Sequence, residues 1–314
     1  MLFSIILPVY NGAHVIGEAI ESVLAQTEPD WELIIIDDGS VDHTREVLQP
    51  YAVNGKIQII FQQNSGVSAA RNAGAKRAKG AYFAFLDADD VWYPNHLAVM
   101  RDLIEKYPTA GLYGTFTRTE LQNGGKLDDC NFLDRNEDVL LEDFFEAYSN
   151  DRSAKVFTII TTCIAAGAFA KAGGFPKECA IGEDLELSLR VAAYYPVVLS
   201  GMATAVYRKQ NSTATKNVSF DPDWGFFDTV EPLYSDAGIP AKKRENLKKL
   251  MQWFSMRRCR HYLIAGKRTK AWQVYRQTDK RWIKVKDRLI NAGLLLLPAA
   301  IVRLIFLCRW KGKA

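Results

Sequence analysis

The chain has 314 residues, 48% of them hydrophobic and 24% charged. That is enough apolar material for one large domain, or a domain plus an extension, and too much for a disordered polymer. The formal charge of +4 conceals a segregation: from Ala241 onward 21 Lys and Arg face 3 Asp and Glu, a net of +18, which leaves −14 for the first 240 residues. Five scattered cysteines without a CxxC pair, and four dispersed histidines, argue against a zinc site or a disulfide framework and fit a reducing compartment.

The apolar start, MLFSIILPVYNG, has no basic leader and no cleavage site, so it is expected to be a first strand rather than a signal peptide. Four runs rich in β-branched residues recur at 3–9, 32–37, 57–61 and 81–87, nearly continuous in apolar character as strands covered on both faces are. Helical patterns alternate with them. Ile16, Ile20, Val23 and Leu24 share a face within 13–26, and the alanine-rich segment 67–79 lies between Gly66 and Gly80. This order predicts an α/β fold: a Rossmann-like, mostly parallel twisted sheet with helices on both faces. Pro94 can open a helix whose Leu97, Met100, Leu103 and Ile104 face inward. From 108 to 210 the pattern loosens into short strand candidates and polar loops, while 221–290 reads as helical and increasingly basic. The expected domains are therefore a catalytic domain at 1–220, a basic helical extension at 221–288 and an apolar membrane-associating segment at 289–314.

In an open parallel sheet, ligands bind beyond the carboxyl ends of the strands. Each of the four strands ends in a polar signal: Tyr10-Asn11, Asp37-Asp38-Gly39-Ser40, Asn64-Ser65-Gly66 and Asp87-Ala88-Asp89. An acid after the second strand can hydrogen-bond a ribose or base, but the first turn lacks the GxGxxG of dinucleotide sites, which disfavours NAD. Asp87 and Asp89, two residues apart, project to one side in extended backbone. Such a pair suits Mg²⁺ or Mn²⁺ completed by water and phosphate oxygens, or it is a solvated acidic loop. Arg71 interrupts an alanine-rich face and either reaches the ligand edge or is a solvated helix charge. Glu183 and Asp184 open a helix, where the dipole favours carboxylates, and one of them could serve as a general base.

The segments PVYNGAHVIGEAIESVLAQT, WELIIIDDGSVDHT, NSGVSAARNAGAKRAKGAYFAFLDADDVWYP and GGFPKECAIGEDLELSLR together resemble family 2 glycosyltransferases of the glycosyltransferase-A fold, over roughly residues 2–210. The resemblance implies a metal-dependent, inverting enzyme that moves a sugar from a nucleotide-sugar donor, expected to be a UDP-sugar, to a hydroxyl acceptor. It places Pro8, Tyr10 and Asp38 around the base and ribose, and Arg71 near the base or diphosphate. It assigns Asp87 to the ribose side, Asp89 to the Mg²⁺ or Mn²⁺ ion, and Asp184 to the catalytic base. Where members often carry Tyr-Arg-x-His, this chain reads YRKQ, with Gln210 in place of the histidine, a poorer metal ligand. FLDADDV also resembles the motif of haloacid-dehalogenase-type phosphatases, but that motif normally sits on the first strand, and three precede it here. The non-enzymatic alternative is a membrane-bound nucleotide-binding subunit.

The apolar run 289–308 has about the ~20 residues a span requires, yet Arg303 within it costs roughly 2.5–3.5 kcal/mol on insertion scales. Basic clusters flank it on both sides: Lys284, Lys286 and Arg288, then Arg309, Lys311 and Lys313. A single span would leave one cluster on the wrong side, so a monotopic or re-entrant anchor kinked at Pro298, on the cytoplasmic face of a membrane, is expected ahead of a full span or a buried helix of a soluble protein or oligomer. The +18 charge would favour an anionic membrane surface; no recognised nucleic-acid motif accompanies it. A lipid-linked or cell-envelope glycan acceptor would follow from that location.

Overall fold

Runs such as FSIILPV and WELIIID bury every side chain, so they need cover on both faces and a partner on each edge. In a computed structural model, which describes residues 2–120, 126–128, 137–150, 158–176, 182–208, 226–298, 301, 302 and 305, they obtain both. The chain divides into two units, Met1–Val218 and Ser219–Ala314.

The first unit alternates β1 (Phe3–Val9), α1 (Ile16–Leu24), β2 (Trp31–Asp37), α2 (Thr44–Leu48), β3 (Ile57–Phe61), α3 (Val67–Ala75) and β4 (Tyr82–Phe85). β5 (Val91–Trp92), α4 (His96–Lys106), β6 (Leu112–Glu120), β7 (Lys126–Asp128), β8 (Asp138–Leu141) and α5 (Phe144–Asn150) follow. β9 (Thr162–Ala165), α6 (Ala166–Ala172), α7 (Glu183–Tyr194) and β10 (Val197–Arg208) complete it. The strands form one sheet in the order β3-β2-β1-β4-β9-β6-β10-β5, with β7 against β6 and β8 against β10. β3, β2, β1 and β4 are mutually parallel, in the register Ile36↔Ile60, Ile6↔Ile34 and Ile6↔Phe85. The second half is mixed: β9 runs antiparallel to both β4 and β6, and only β10 pairs parallel with β6. The parallel half matches the sequence expectation; the inserted antiparallel strand does not announce itself in composition.

Gly74 sets how closely α3 lies on the sheet. A Cβ there would stand 2.6 Å from Cγ2 of Ile6 on β1, so any side chain would force the helix or Ile6 to shift. α4 buries Leu97, Met100, Leu103 and Ile104 as its spacing predicts. His96 at its start stacks on Trp92 and bonds Thr204 on β10 at 2.7 Å. Burial pulls the His96 imidazole down to about 3, so it is neutral and acts as packing.

The second unit carries α8 (Phe226–Val230), α9 (Ala241–Ile264), α10 (Arg268–Gln277) and α11 (Val285–Leu296). Its core joins Cys259, Tyr262, Leu263, Ala271, Leu294, Leu295 and Val302. The apolar run that starts at 289 is therefore divided. Leu297 turns to extended backbone ahead of Pro298, and helical hydrogen bonding resumes where the amides of Ile301 and Val302 donate to the Pro298 carbonyl. Arg303, Arg309, Lys311 and Lys313 lie outside the described residues. Among those described, no helix is long and apolar enough to cross a membrane.

Candidate active site

The carboxyl ends of β1, β2 and β4 meet along one edge, and their loops are tied to one another. The Asp38 amide donates to the Val9 carbonyl, and the Leu86 amide to that of Ile6. Asn11, at φ 51, accepts from the Val41 amide at 2.8 Å while its own amide donates to Ser40 Oγ. These contacts fix the turn that presents Tyr10, whose side chain is about half exposed beside the buried Pro8.

Asp38 is buried, and both its oxygens are occupied. Oδ1 accepts from Gln62 Nε2 and the Ser65 amide, and Oδ2 from the Gly66 amide at 2.8 Å. Gly66 has φ 87, a conformation side chains disfavour, and it caps α3. The acid expected near the base and ribose thus holds the loop between β3 and α3 at the edge where a base would lie. Asp37 is buried beside it, with Oδ1 accepting from the Ser40 amide.

Arg71 projects from α3 and is 2% exposed. Its guanidinium donates to Asp87 Oδ1 at 2.6 Å and to Glu183 Oε1 at 2.8 Å, and its carbon lies 5.2 Å from the Phe175 ring centre. Next to it, Asn72 both donates to the Phe175 carbonyl and accepts from the Phe175 amide, each at 2.9 Å. One helical turn therefore links Asp87 to the start of α7. The two carboxylates hold Arg71 firmly protonated despite its burial.

The three aspartates of DADD have three different surroundings. Asp87 pairs with Arg71. Asp90 is buried, and its Oδ1 accepts from the Arg208 amide at 2.8 Å, binding the loop to β10. Burial, then Asp89 and Asp87, push the Asp90 carboxyl well above the usual range. Asp89 is part-buried; among the described residues no cationic side chain is bonded to it. Burial and the charge of Asp87 lift it to about 6, opposed by its own amide and by the more distant His14 and Arg208.

Asp184, in the first turn of α7, accepts from the Leu185 amide at 2.7 Å. Burial and the neighbouring Glu183 lift its carboxyl to about 6, with Arg71 opposing. A carboxylate in that range can accept a proton near neutral pH. The residue pattern alone leaves Glu183 and Asp184 open for this work, and the family resemblance assigns it to Asp184. Glu183 is committed to Arg71, and Asp184 is the one without a cation bonded to it among the described residues. Gln210 lies outside the described residues.

Among those described, no three His, Cys, Asp or Glu side chains converge as a closed metal cage. Magnesium-type ions are commonly held by one or two carboxylates, with water and substrate phosphates completing the shell. Asp89, with oxygen donors and a local excess of negative charge, fits an ion held in that shared way.

Residues that sequence reasoning did not single out include Asn72, Phe175 and His14. Arg208 was visible only as part of YRKQ.

The model of glycosyl transferase family 2 matches residues 4–166. The uncharacterized glycosyltransferase RP339 of Rickettsia prowazekii is 44% identical over 105 residues, covering 33% of this chain and 32% of the relative. The Escherichia coli UDP-Glc:alpha-D-GlcNAc-diphosphoundecaprenol beta-1,3-glucosyltransferase WfgD is 38% identical over 116 residues, 37% of this chain and 46% of that one. The chain thus aligns with less than half the length of either relative. The crystal structure of Staphylococcus aureus TarS 1-349 in complex with UDP-GlcNAc superposes with a TM-score of 0.68 at 18% identity, over 90% of this chain and 83% of that one, a likeness of fold.

Proposed function

The chain belongs to glycosyl transferase family 2, and on that premise we propose that it moves a sugar from a UDP-sugar to a hydroxyl group with inversion at the anomeric carbon. The observation that carries the reading is that Arg71 ties the DADD loop to the start of α7 by bonding both Asp87 and Glu183, which sets Asp184, the next residue, beside that loop. A proton acceptor beside a site for a charged leaving group is what displacement at a sugar carbon needs.

The chain's own residues have these parts. Pro8 and the half-exposed Tyr10 form the wall for the base, and Asp38 holds the 62–66 loop that closes its other side. Asp87, oriented by Arg71, faces the ribose, and Arg71 lends positive charge toward the diphosphate. Asp184 takes the proton from the acceptor hydroxyl. The oxygen so freed attacks the anomeric carbon, and the bonding pair to the old glycosidic oxygen leaves with the nucleoside diphosphate. Because attack and departure lie on opposite faces, one step inverts the configuration. A Mg²⁺ or Mn²⁺ ion held by Asp89 would supply neutralising charge for the departing phosphate.

The name of WfgD specifies a UDP-glucose donor and a lipid-diphosphate-linked acceptor, and TarS was crystallised with UDP-GlcNAc. Both support the choice of uridine, and the name of WfgD supports a lipid-linked glycan as acceptor. A panel of nucleotide sugars, each incubated with the protein and Mn²⁺, tests the donor class by nucleoside diphosphate release. Release from at least one UDP-sugar is expected. Cleavage of an aryl phosphate without release from any nucleotide sugar would favour the phosphatase resemblance instead.

A further inference from the structure

The outer face of α11 carries a feature that glycosyl transfer does not use. Val285, Leu289, Gly293 and Leu296 follow one another at helical spacing and, at about 100° per residue, fall within an arc of roughly 80°. All four are exposed, with Val285 at 62%, Leu289 at 67% and Leu296 at 76%. The opposite face is occupied. Leu294 and Leu295 enter the core of the second unit, and Arg260 of α9 bonds Asn291 at 3.0 Å and Asp287 at 2.9 Å. The helix cannot rotate to hide its leucines without breaking those contacts. Beyond Pro298, Ile301 and Ile305 are exposed as well.

We infer that this stripe is a docking surface for an anionic lipid bilayer, with α11 lying in the plane of the interface. The charge around it selects that partner. Lys284 and Lys286 are exposed at the start of the helix, and Lys286 and Arg288 lie on the two sides of the stripe. Exposed Arg281 and Trp282 immediately precede them. The Trp282 ring stacks with Lys249 Nζ 4.4 Å from its centre, an amphipathic pair of the kind found at headgroup depth. An apolar stripe with basic residues on both margins lets leucines enter the acyl boundary while the ammonium groups stay among phosphates. The 21 basic against 3 acidic residues after position 240 extend the same attraction over the unit. This differs from a span of 289–308, because Leu294, Leu295 and Val302 belong to the protein core. The surface also begins earlier, at Val285.

Co-sedimentation of the full chain with phosphatidylcholine vesicles, with and without phosphatidylglycerol, tests the inference without any sugar donor, so it succeeds or fails independently of the transfer reaction. Binding is expected to the anionic vesicles. It should weaken about tenfold for each of Leu289→Ser and Leu296→Ser, and about fivefold per charge in Lys284→Gln and Lys286→Gln. It should also fall when salt rises from ~0.1 to ~1 M, which shortens screening from about 10 to about 3 Å. The substituted side chains are solvent-exposed, and the lysine variants provide a second readout should a serine variant misfold. Equal binding to neutral vesicles, or binding unchanged by the serine variants, would overturn the inference. So would a dimer in light scattering that the serine variants dissociate, since a second copy would then be the occupant. Binding of single-stranded DNA in the absence of vesicle binding would overturn it too.

Discussion

Replacing Arg71 by alanine removes the cation shared by Asp87 and Glu183 and leaves two carboxylates facing each other beside Asp184. The Arg71 side chain is 3% exposed, while those of Asp87 and Glu183 are 31% and 14% exposed. Removing one partner of a fully buried ion pair costs ~3–5 kcal/mol; the partial exposure of Asp87 places this case at the low end, about 3 kcal/mol. For a unit of this size each kcal/mol lowers the melting temperature by about 2–4 °C, so Arg71→Ala should melt roughly 6–12 °C earlier. The same change acts on the proton acceptor. The Arg71 charge opposes the rise of the Asp184 carboxyl to about 6, and the Asp87 and Glu183 charges promote it. Without Arg71 the carboxyl should rise further. The base must be ionised to work, so the acid limb of the kcat–pH profile should move upward from about 6. Arg71→Lys keeps the charge but cannot reach both carboxylates with a planar fork, and should recover part of the melting loss. Differential scanning calorimetry and initial rates across pH 5–8 read both effects. An unchanged melting temperature with an unmoved acid limb would refute the bridging role of Arg71.

Three further outcomes follow from the same geometry. Asp89→Ala should abolish the dependence of UDP affinity on Mn²⁺, and chelation should weaken UDP binding to the wild-type chain but not to the variant; calorimetry with and without chelator decides this. Asp90 has a folded-state carboxyl raised above its unfolded value, so ionising it disfavours the fold and the penalty grows as pH rises above about 4. Asp90→Asn keeps an acceptor for the Arg208 amide and should gain stability relative to wild type with rising pH, whereas Asp90→Ala loses that bond and should cost ~1–3 kcal/mol in urea denaturation. Gly74→Ala places a Cβ against Ile6 and should destabilise by ~1–3 kcal/mol, with lower activity because Arg71 rides on the displaced helix.

The parallel half of the sheet was legible because β1 and β2 are buried on both faces and read as nearly continuous apolar runs at 3–9 and 32–37, and the edge strand at 57–61, buried only at Ile57, still carries three isoleucines. The other half was not. β9 inserts antiparallel between β4 and β6, and β10 shifts register near Leu199 and Ala203, features set by long-range pairing with no local periodicity. The family resemblance assigned roles to Asp87, Asp89 and Asp184, but it did not show how these residues are connected. Arg71 and Glu183 are 112 residues apart, and nothing local marks their contact. Nothing in the string DADD sets Asp90 apart from Asp89; its burial and its bond from the Arg208 amide on β10 do. Apolar counting over 289–308 likewise cannot tell a leucine that packs on α9 from one that faces outward; the helical positions of Leu294 and Leu289 can.

The central claim is that Asp184 removes the acceptor proton while the nucleotide is held by other residues. Asp184→Asn tests it most directly, with turnover measured by UDP release from the accepted donor and UDP affinity by calorimetry in the same preparation. The account predicts a loss of ~10²–10⁴-fold in kcat, the usual contribution of a positioned general base, with UDP affinity within a few fold of wild type. Near-normal turnover in the variant, or turnover and UDP affinity lost together, would contradict it.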